Sequence, residues 1–231
     1  PKIRELTLKE VKSFDIGRLS PSSKYNARYP NYQPADGATI PTLREVLDLV
    51  KTTAPEEFQL WIELKVNPDS ENWLFKPAVL AQRTIIELKA ARLLRQATII
   101  SFYWPALYHV LQIDRSVKTG FLSSEQVWLN NISPSRKGPS HWTAPSDIRD
   151  YDGSVVQMIK SRGGSVWSVY WRDLTQDRLG EAQKKGIKVG VWTIRKHSEI
   201  DKVLKLGVNF ITTDRPDWFI KFHENLLDRS Y

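Results

Sequence analysis

The chain has 231 residues and a mass of 26.7 kDa, with 41% hydrophobic and 26% charged residues, which excludes a disordered or collagen-like polypeptide and suits one large domain or two small ones. It carries 34 Lys and Arg against 26 Asp and Glu, a net charge of +8 that favours anionic partners such as phosphates, nucleic acid or acidic surfaces. The absence of cysteine excludes a disulfide scaffold, a thiolate zinc site and a Cys nucleophile.

No apolar run reaches the roughly 18 residues that a membrane-spanning helix requires. There is no arginine-rich tail and no nucleic-acid fold signature. Lys184, Lys185, Lys188, Lys202 and Lys205 fall in segments that read as outer helix faces and helix ends, where solvation accounts for them.

Up to about Ile40 the sequence reads as loop, punctuated by Ser20-Pro21-Ser22-Ser23, Tyr29-Pro30-Asn31 and Asp36-Gly37. Thr42-Leu43-Arg44-Glu45 is a capping box, and Leu43, Val46, Leu47 and Val50 line one face of the helix that follows. Phe58 to Val66 is an extended run, and a long helix is predicted from Asn72 to Arg95. A strand from Ala97 to Tyr103, a short helix from Ala106 to Leu111 and a strand from Thr119 to Ser123 come next. Glu125 to Asp152 reads as an irregular insertion with a helix after it, and Val166 to Tyr170 as a strand. Thr175 can cap a helix that stops at Gly186, before a strand from Ile187 to Thr193. Ser198 can cap another that stops at Gly207, before a strand from Val208 to Thr212.

Helix, glycine, buried strand, repeated, marks βα units and a parallel sheet, with six strands in all. Two architectures accommodate them: an open doubly wound sheet, or most of a (β/α)8 barrel. In the run around Glu63, apolar Leu60, Ile62 and Leu64 alternate with Gln59, Trp61, Glu63 and Lys65. A parallel strand covered by helices on both faces is continuously aliphatic, so a polar second face points to a barrel mouth.

Glu63 and Lys65 sit about 7 Å apart on that face. The carboxylate is a hard oxygen ligand for Mg²⁺ or Ca²⁺, and the ammonium is a mobile charge for a phosphate oxygen. The other reading is a surface ion pair on an antiparallel strand. Ser101-Phe102-Tyr103-Trp104 ends the next strand and Trp192-Thr193 a later one, so their rings are candidates for a substrate wall at the same mouth. Asp214 follows the last strand, where it can cap the terminal helix or touch substrate. His109, His141, His197 and His223 fall in predicted helices or loops and not at strand ends, so a Ser/His/Asp triad or a His-based metal site has no support.

Together these segments resemble the glycerophosphodiester phosphodiesterases, which share a barrel with the phosphoinositide-type phospholipases. The resemblance rests on Arg4 to Leu8 with Phe14-Asp15-Ile16-Gly17, Ile40-Pro41-Thr42-Leu43, Ile62-Glu63-Leu64-Lys65 and Ile100-Ser101-Phe102. Val191-Trp192-Thr193 and Gly207 to Pro216 complete it, in family order over essentially the whole chain. It implies a TIM-type barrel and metal-dependent hydrolysis of a small glycerophosphodiester to glycerol 3-phosphate and an alcohol. It also implies Glu63 as a ligand of the divalent cation (Mg²⁺ or Ca²⁺), Lys65 at the phosphate, and Phe102 and Trp192 as the aromatic wall beside the glycerol.

The family's His-Arg-Gly and Glu-x-Asp motifs and its second catalytic His do not occur in this sequence. The resemblance therefore places both catalytic histidines upstream of Pro1, and no catalytic histidine is expected within the chain. The expected organisation is a single domain over 1–231 that lacks the first two strands, with 1–40 as the remainder of the inserted segment and 41–231 running from the second helix through the last strand and terminal helix. The same departure predicts that the chain as written is inactive. Two other functions compete: a glycoside hydrolase, which needs a second carboxyl group near Glu63 although Asp173 and Asp214 end strands distant from it in barrel order, and a non-catalytic binding protein on the same barrel. Spider-type phospholipases D and phosphoinositide-specific phospholipases C are neighbouring possibilities, which the Trp192-Thr193 and Thr213 to Pro216 endings disfavour.

Overall fold

The structure is a computed structural model that describes residues 3–29, 32–68, 76–133 and 138–228, without the side chains of Arg4 and 223–228. Pro1, upstream of which the catalytic histidines are expected, lies outside the described residues. So do the predicted Pro30-Asn31 turn, residues 72–75 of the predicted long helix and the His223 side chain.

Six parallel strands form one sheet: β1 (Leu60–Glu63), β2 (Ala97–Ser101), β3 (Lys118–Ser123), β6 (Val166–Tyr170), β7 (Lys188–Ile194) and β8 (Phe210–Thr213), neighbours in that order. Between β3 and β6 stands a small antiparallel hairpin, β4 (Glu125–Gln126) with β5 (Leu129–Asn130). The intervening helices are α3 (Leu43–Thr53), α4 (Pro77–Ala91), α5 (Trp104–Ile113), α6 (Val155–Ser161), α7 (Gln176–Lys184) and α8 (His197–Leu206), with α9 (Pro216–Asp228) after β8. Two short helices, α1 (Leu8–Lys12) and α2 (Lys24–Arg28), precede them. No helix among the described residues is long and apolar enough to cross a membrane.

Alternation along each strand separates two faces. Leu60, Leu64, Ala97, Ile99, Phe121 and Trp167 belong to the buried core under the helices. The opposite face is concave and tightly filled. A Cβ on Gly120 would meet Ile100 Cγ2 at 2.7 Å, too close without a shift, and one on Gly190 would meet Phe210 Cβ at 3.2 Å, a tight contact. The sheet curls until rings from its two edge strands touch: Trp61 of β1 lies 5.0 Å from Phe210 of β8, edge to face. The architecture is thus a half-barrel of six strands with β1 and β8 as its edges.

Local chemistry sets the ends. The Thr42 capping box is present: Thr42 Oγ1 accepts from Glu45 N at 3.2 Å, and the Glu45 carboxylate accepts from Thr42 N at 2.7 Å. Gly207 terminates α8 at φ +82°, a conformation that costs a residue with a Cβ far more.

Several boundaries correct the sequence reading. The long helix is α4, Pro77–Ala91, and residues 94–96 form a separate 3-10 turn. The N-cap of α8 is Lys196, with Ser198 inside the helix, because the Glu199 carboxylate accepts from both Arg195 N and Lys196 N and closes the turn earlier. Phe58 is 43% exposed and precedes β1. Trp104, expected at the mouth, opens α5 fully buried on the outer side, its ring 5.0 Å from Phe121 and its Nε1 donating to Leu122 O.

Candidate functional site

Glu63 is the last residue of β1, in register with Ile100 of β2. Pairing continues one residue further. Leu64 N donates to Ile100 O at 2.8 Å, and Leu64 O accepts from the buried Ser101 Oγ at 2.7 Å. That anchors the backbone at the point where two charged side chains leave the sheet. The Glu63 side chain is 26% exposed and that of Lys65 is 79% exposed, and Lys65 Nζ donates to Glu63 Oε2 at 2.7 Å. A half-sheltered carboxylate and a mobile ammonium therefore stand together at the carboxyl end of the sheet.

Aromatic rings converge at the same end. Phe102, directly after β2, meets Trp192 of β7 edge to face at 5.1 Å, although two strands separate β2 from β7 in the sheet. The contact crosses the concave interior. Trp192 Nε1 donates to Ser168 O at 3.2 Å, which fixes the indole against β6. Tyr170 lies 5.3 Å from Trp192, and the exposed Trp128, at the tip of the β4–β5 hairpin, packs on both.

Of the sequence-predicted residues, Glu63 and Lys65 are joined, and Phe102 and Trp192 are joined. Tyr103 is half-buried against the core under the helices. Asp173 accepts from Glu125 N at 2.9 Å and from Gln126 Nε2, so it anchors the hairpin. Asp214 accepts from Tyr29 Oη at 2.8 Å and from Arg195 Nε at 2.9 Å, and it serves as a tether for α2. Burial alone would raise the Asp214 pKa, but these hydrogen bonds outweigh it and hold the carboxyl below its ordinary range. Both aspartates are engaged by other partners, Asp173 by the hairpin and Asp214 by Tyr29 and Arg195.

Trp128 and Tyr170 were not legible as wall residues. The hairpin that carries Trp128 is two residues per strand, too short for any periodicity, and Tyr170 reads as a strand end. Their signal was the concentration of rings at strand ends. For a hard cation the described residues offer the Glu63 oxygens. No group of three or more His, Asp or Glu side chains that could hold a metal occurs among the described residues. Glu63 suits one position in an oxygen shell of six or more ligands.

The fold defines a parallel α/β half-barrel with a charged pair and an aromatic wall at the carboxyl ends of its strands, the place where enzymes of this architecture keep their active sites. The chain belongs to the glycerophosphoryl diester phosphodiesterase family, whose model matches residues 1–218. It is similar to a protein of known structure from Silicibacter pomeroyi, assigned as a glycerophosphoryl diester phosphodiesterase, with 26% identity and a TM-score of 0.73. That match covers 90% of this chain and 64% of the other, so the chain spans under two thirds of that protein's length.

A glycerophosphodiester phosphodiesterase from Parabacteroides distasonis matches with 18% identity and a TM-score of 0.61, over 89% of this chain and 72% of its own. A phosphodiesterase from Oleispira antarctica, solved in complex with the product sn-glycerol-3-phosphate, matches with 18% identity and a TM-score of 0.61, over 93% and 69% respectively. No curated protein matches the sequence.

Proposed function

We propose that the half-barrel is the larger part of a (β/α)8 barrel in which two further strands fill the gap between β1 and β8. Its mouth hydrolyses glycerophosphodiesters to glycerol 3-phosphate and an alcohol, with a divalent cation, Mg²⁺ or Ca²⁺. The observation that carries this reading is the Glu63–Lys65 pair at the carboxyl end of β1, in a chain whose first 218 residues match the family. The glycerol 3-phosphate held by the Oleispira antarctica protein supports the same product.

In this reading Glu63 supplies one oxygen ligand, and Lys65 swings its ammonium to a phosphate oxygen. Phe102 and Trp192 exclude water on the glycerol side. The cation, when bound, neutralises charge that develops on the phosphoryl oxygens. Proton transfer to the leaving alcohol needs a positioned acid and a base, together worth several orders of magnitude in rate. His109 lies on α5, bonded to Gln112, and the His197 ring packs on Trp218 at 4.5 Å and Phe222 at 4.7 Å. The 231-residue chain by itself is therefore proposed to be inactive.

A coupled assay for glycerol 3-phosphate released from glycerophosphocholine, with Mg²⁺ or Ca²⁺ present, tests both parts. The expected result is no turnover by the purified 231-residue chain. Turnover that Glu63→Gln abolishes would remove the inactivity and keep the site. Turnover that Glu63→Gln leaves intact would remove the site.

A further inference from the structure

The excess positive charge collects at the end of the half-barrel opposite Glu63. Each helix carries the chain back to the amino end of the next strand, so the α–β turns share one face. The turns after α4, α5 and α6 bring Arg92, Arg95, Arg115 and Arg162 to it, and β3 and β7 begin there with Lys118 and Lys188. None of these six forms an ion pair among the described residues, and all but the half-buried Arg162 are exposed. The carboxylates described in the same turns are Glu56, Glu57 and Asp114, of which Asp114 is already held by Lys89 at 2.8 Å.

Cations near helix C-termini complement the helix dipole, which accounts for some of this pattern. It does not account for Lys118 and Lys188, which begin strands, or for Arg95, which lies beyond the αL cap of α4. Nor does it account for the apolar side chains placed among them. Phe58 is 43% exposed, Ile113 at the end of α5 is 44% exposed, and Leu204 in the last turn of α8 is 39% exposed. Between α5 and α6 the same end holds a groove of about 720 Å³ lined by Tyr108, Gln112, Arg115, Lys160 and Arg162. There Arg162 lies 5.2 Å over the Tyr108 ring and donates through Nε to Ser146 Oγ at 2.7 Å, so its charge is held in place.

We propose that this end docks on a bilayer surface that contains anionic phospholipid. The basic turns face the headgroup phosphates and Phe58, Ile113 and Leu204 enter the interface, a combination that favours a membrane over a nucleic acid. The mouth then opens to water, where deacylated, water-soluble diesters are. The docking itself does not depend on the phosphodiesterase reading.

Co-sedimentation of the 231-residue chain with vesicles of phosphatidylcholine alone, or with phosphatidylserine at about one third of the lipid, tests it. Binding is expected to require phosphatidylserine and to weaken steeply as salt is raised. Combined Arg115→Glu, Lys160→Glu and Arg162→Glu should lower affinity by about tenfold or more. Arg92→Glu with Arg95→Glu gives an independent second loss should the triple variant fail to fold. Lys24→Glu with Lys196→Glu, at the mouth end, should leave binding unchanged. No binding, equal binding to both vesicles, or equal loss from the mouth-end variant would overturn the docking. Tighter binding to a short duplex DNA than to the phosphatidylserine vesicles at the same salt would overturn the assignment to a bilayer.

Discussion

Trp167 is fully buried on the outer face of β6 and donates through Nε1 to the buried Ser123 Oγ at 2.8 Å. Trp167→Phe keeps most of the apolar area but strands the hydroxyl and leaves a void. We expect a loss of about 2–4 kcal/mol in denaturant unfolding, the cost of an unpaired buried polar group plus the cavity. A loss below about 1 kcal/mol would mean that the bond is immaterial. The Glu63–Lys65 pair was legible because polar residues at alternate positions of a parallel strand have to face something other than helices. Trp104 was misplaced for a related reason. Position at a strand end does not say which face a ring takes, and Trp104, which opens α5 just ahead of Pro105, lies buried under the helix layer.

Among the elements, the amino-terminal segment is tied to the half-barrel by a few polar contacts. Lys12 pairs with Glu45 at the start of α3 and Tyr29 Oη donates to Asp214, while a bridge from Asp15 to Thr39 closes the segment on itself. The Lys12 hydrogen bond, then those from Thr42, hold the Glu45 carboxyl down at about 2, and Asp214 is also held below its ordinary range. A carboxyl whose folded pKa is depressed stabilises above its unfolded value near 4 and loses that contribution as pH falls through the folded one. Between about pH 4 and about pH 2 the segment should therefore loosen before the sheet. Amide exchange corrected for intrinsic rate at each pH should show protection lost over 11–29 and 32–39 while β3 and β6 keep theirs; simultaneous loss would contradict the tether.

The segment also shows an element that sequence reading passed over. Thr7 and Glu10 form a capping box for α1 with the same Thr-x-x-Glu spacing as Thr42 and Glu45. A five-residue helix has no room for an apolar repeat, so its cap was the one available signal. The βα units from Val166 onward were legible because glycine stops and buried strands recur, and β6 matches its expected bounds.

At the scale of the whole molecule, a run of six βα-type strands was visible, but the choice between an open sheet and a barrel rested on one strand. Curvature is settled by contacts between residues far apart in sequence, such as Trp61 with Phe210 and Phe102 with Trp192, which no local pattern encodes. The same curl gathers Glu63, Lys65 and the rings at one end and leaves the basic turns at the other. The proposed function requires that the charged pair and the aromatic wall form one cation and phosphate site inside that curl. Paramagnetic broadening by Mn²⁺, a stand-in for Mg²⁺ or Ca²⁺, tests it directly by NMR of the indole N–H signals. Trp192 is expected to broaden at lower Mn²⁺ than the outward-facing Trp104 and Trp167, and Glu63→Gln to remove the difference. Equal broadening of all three, or a Trp192 response unchanged by Glu63→Gln, would contradict it.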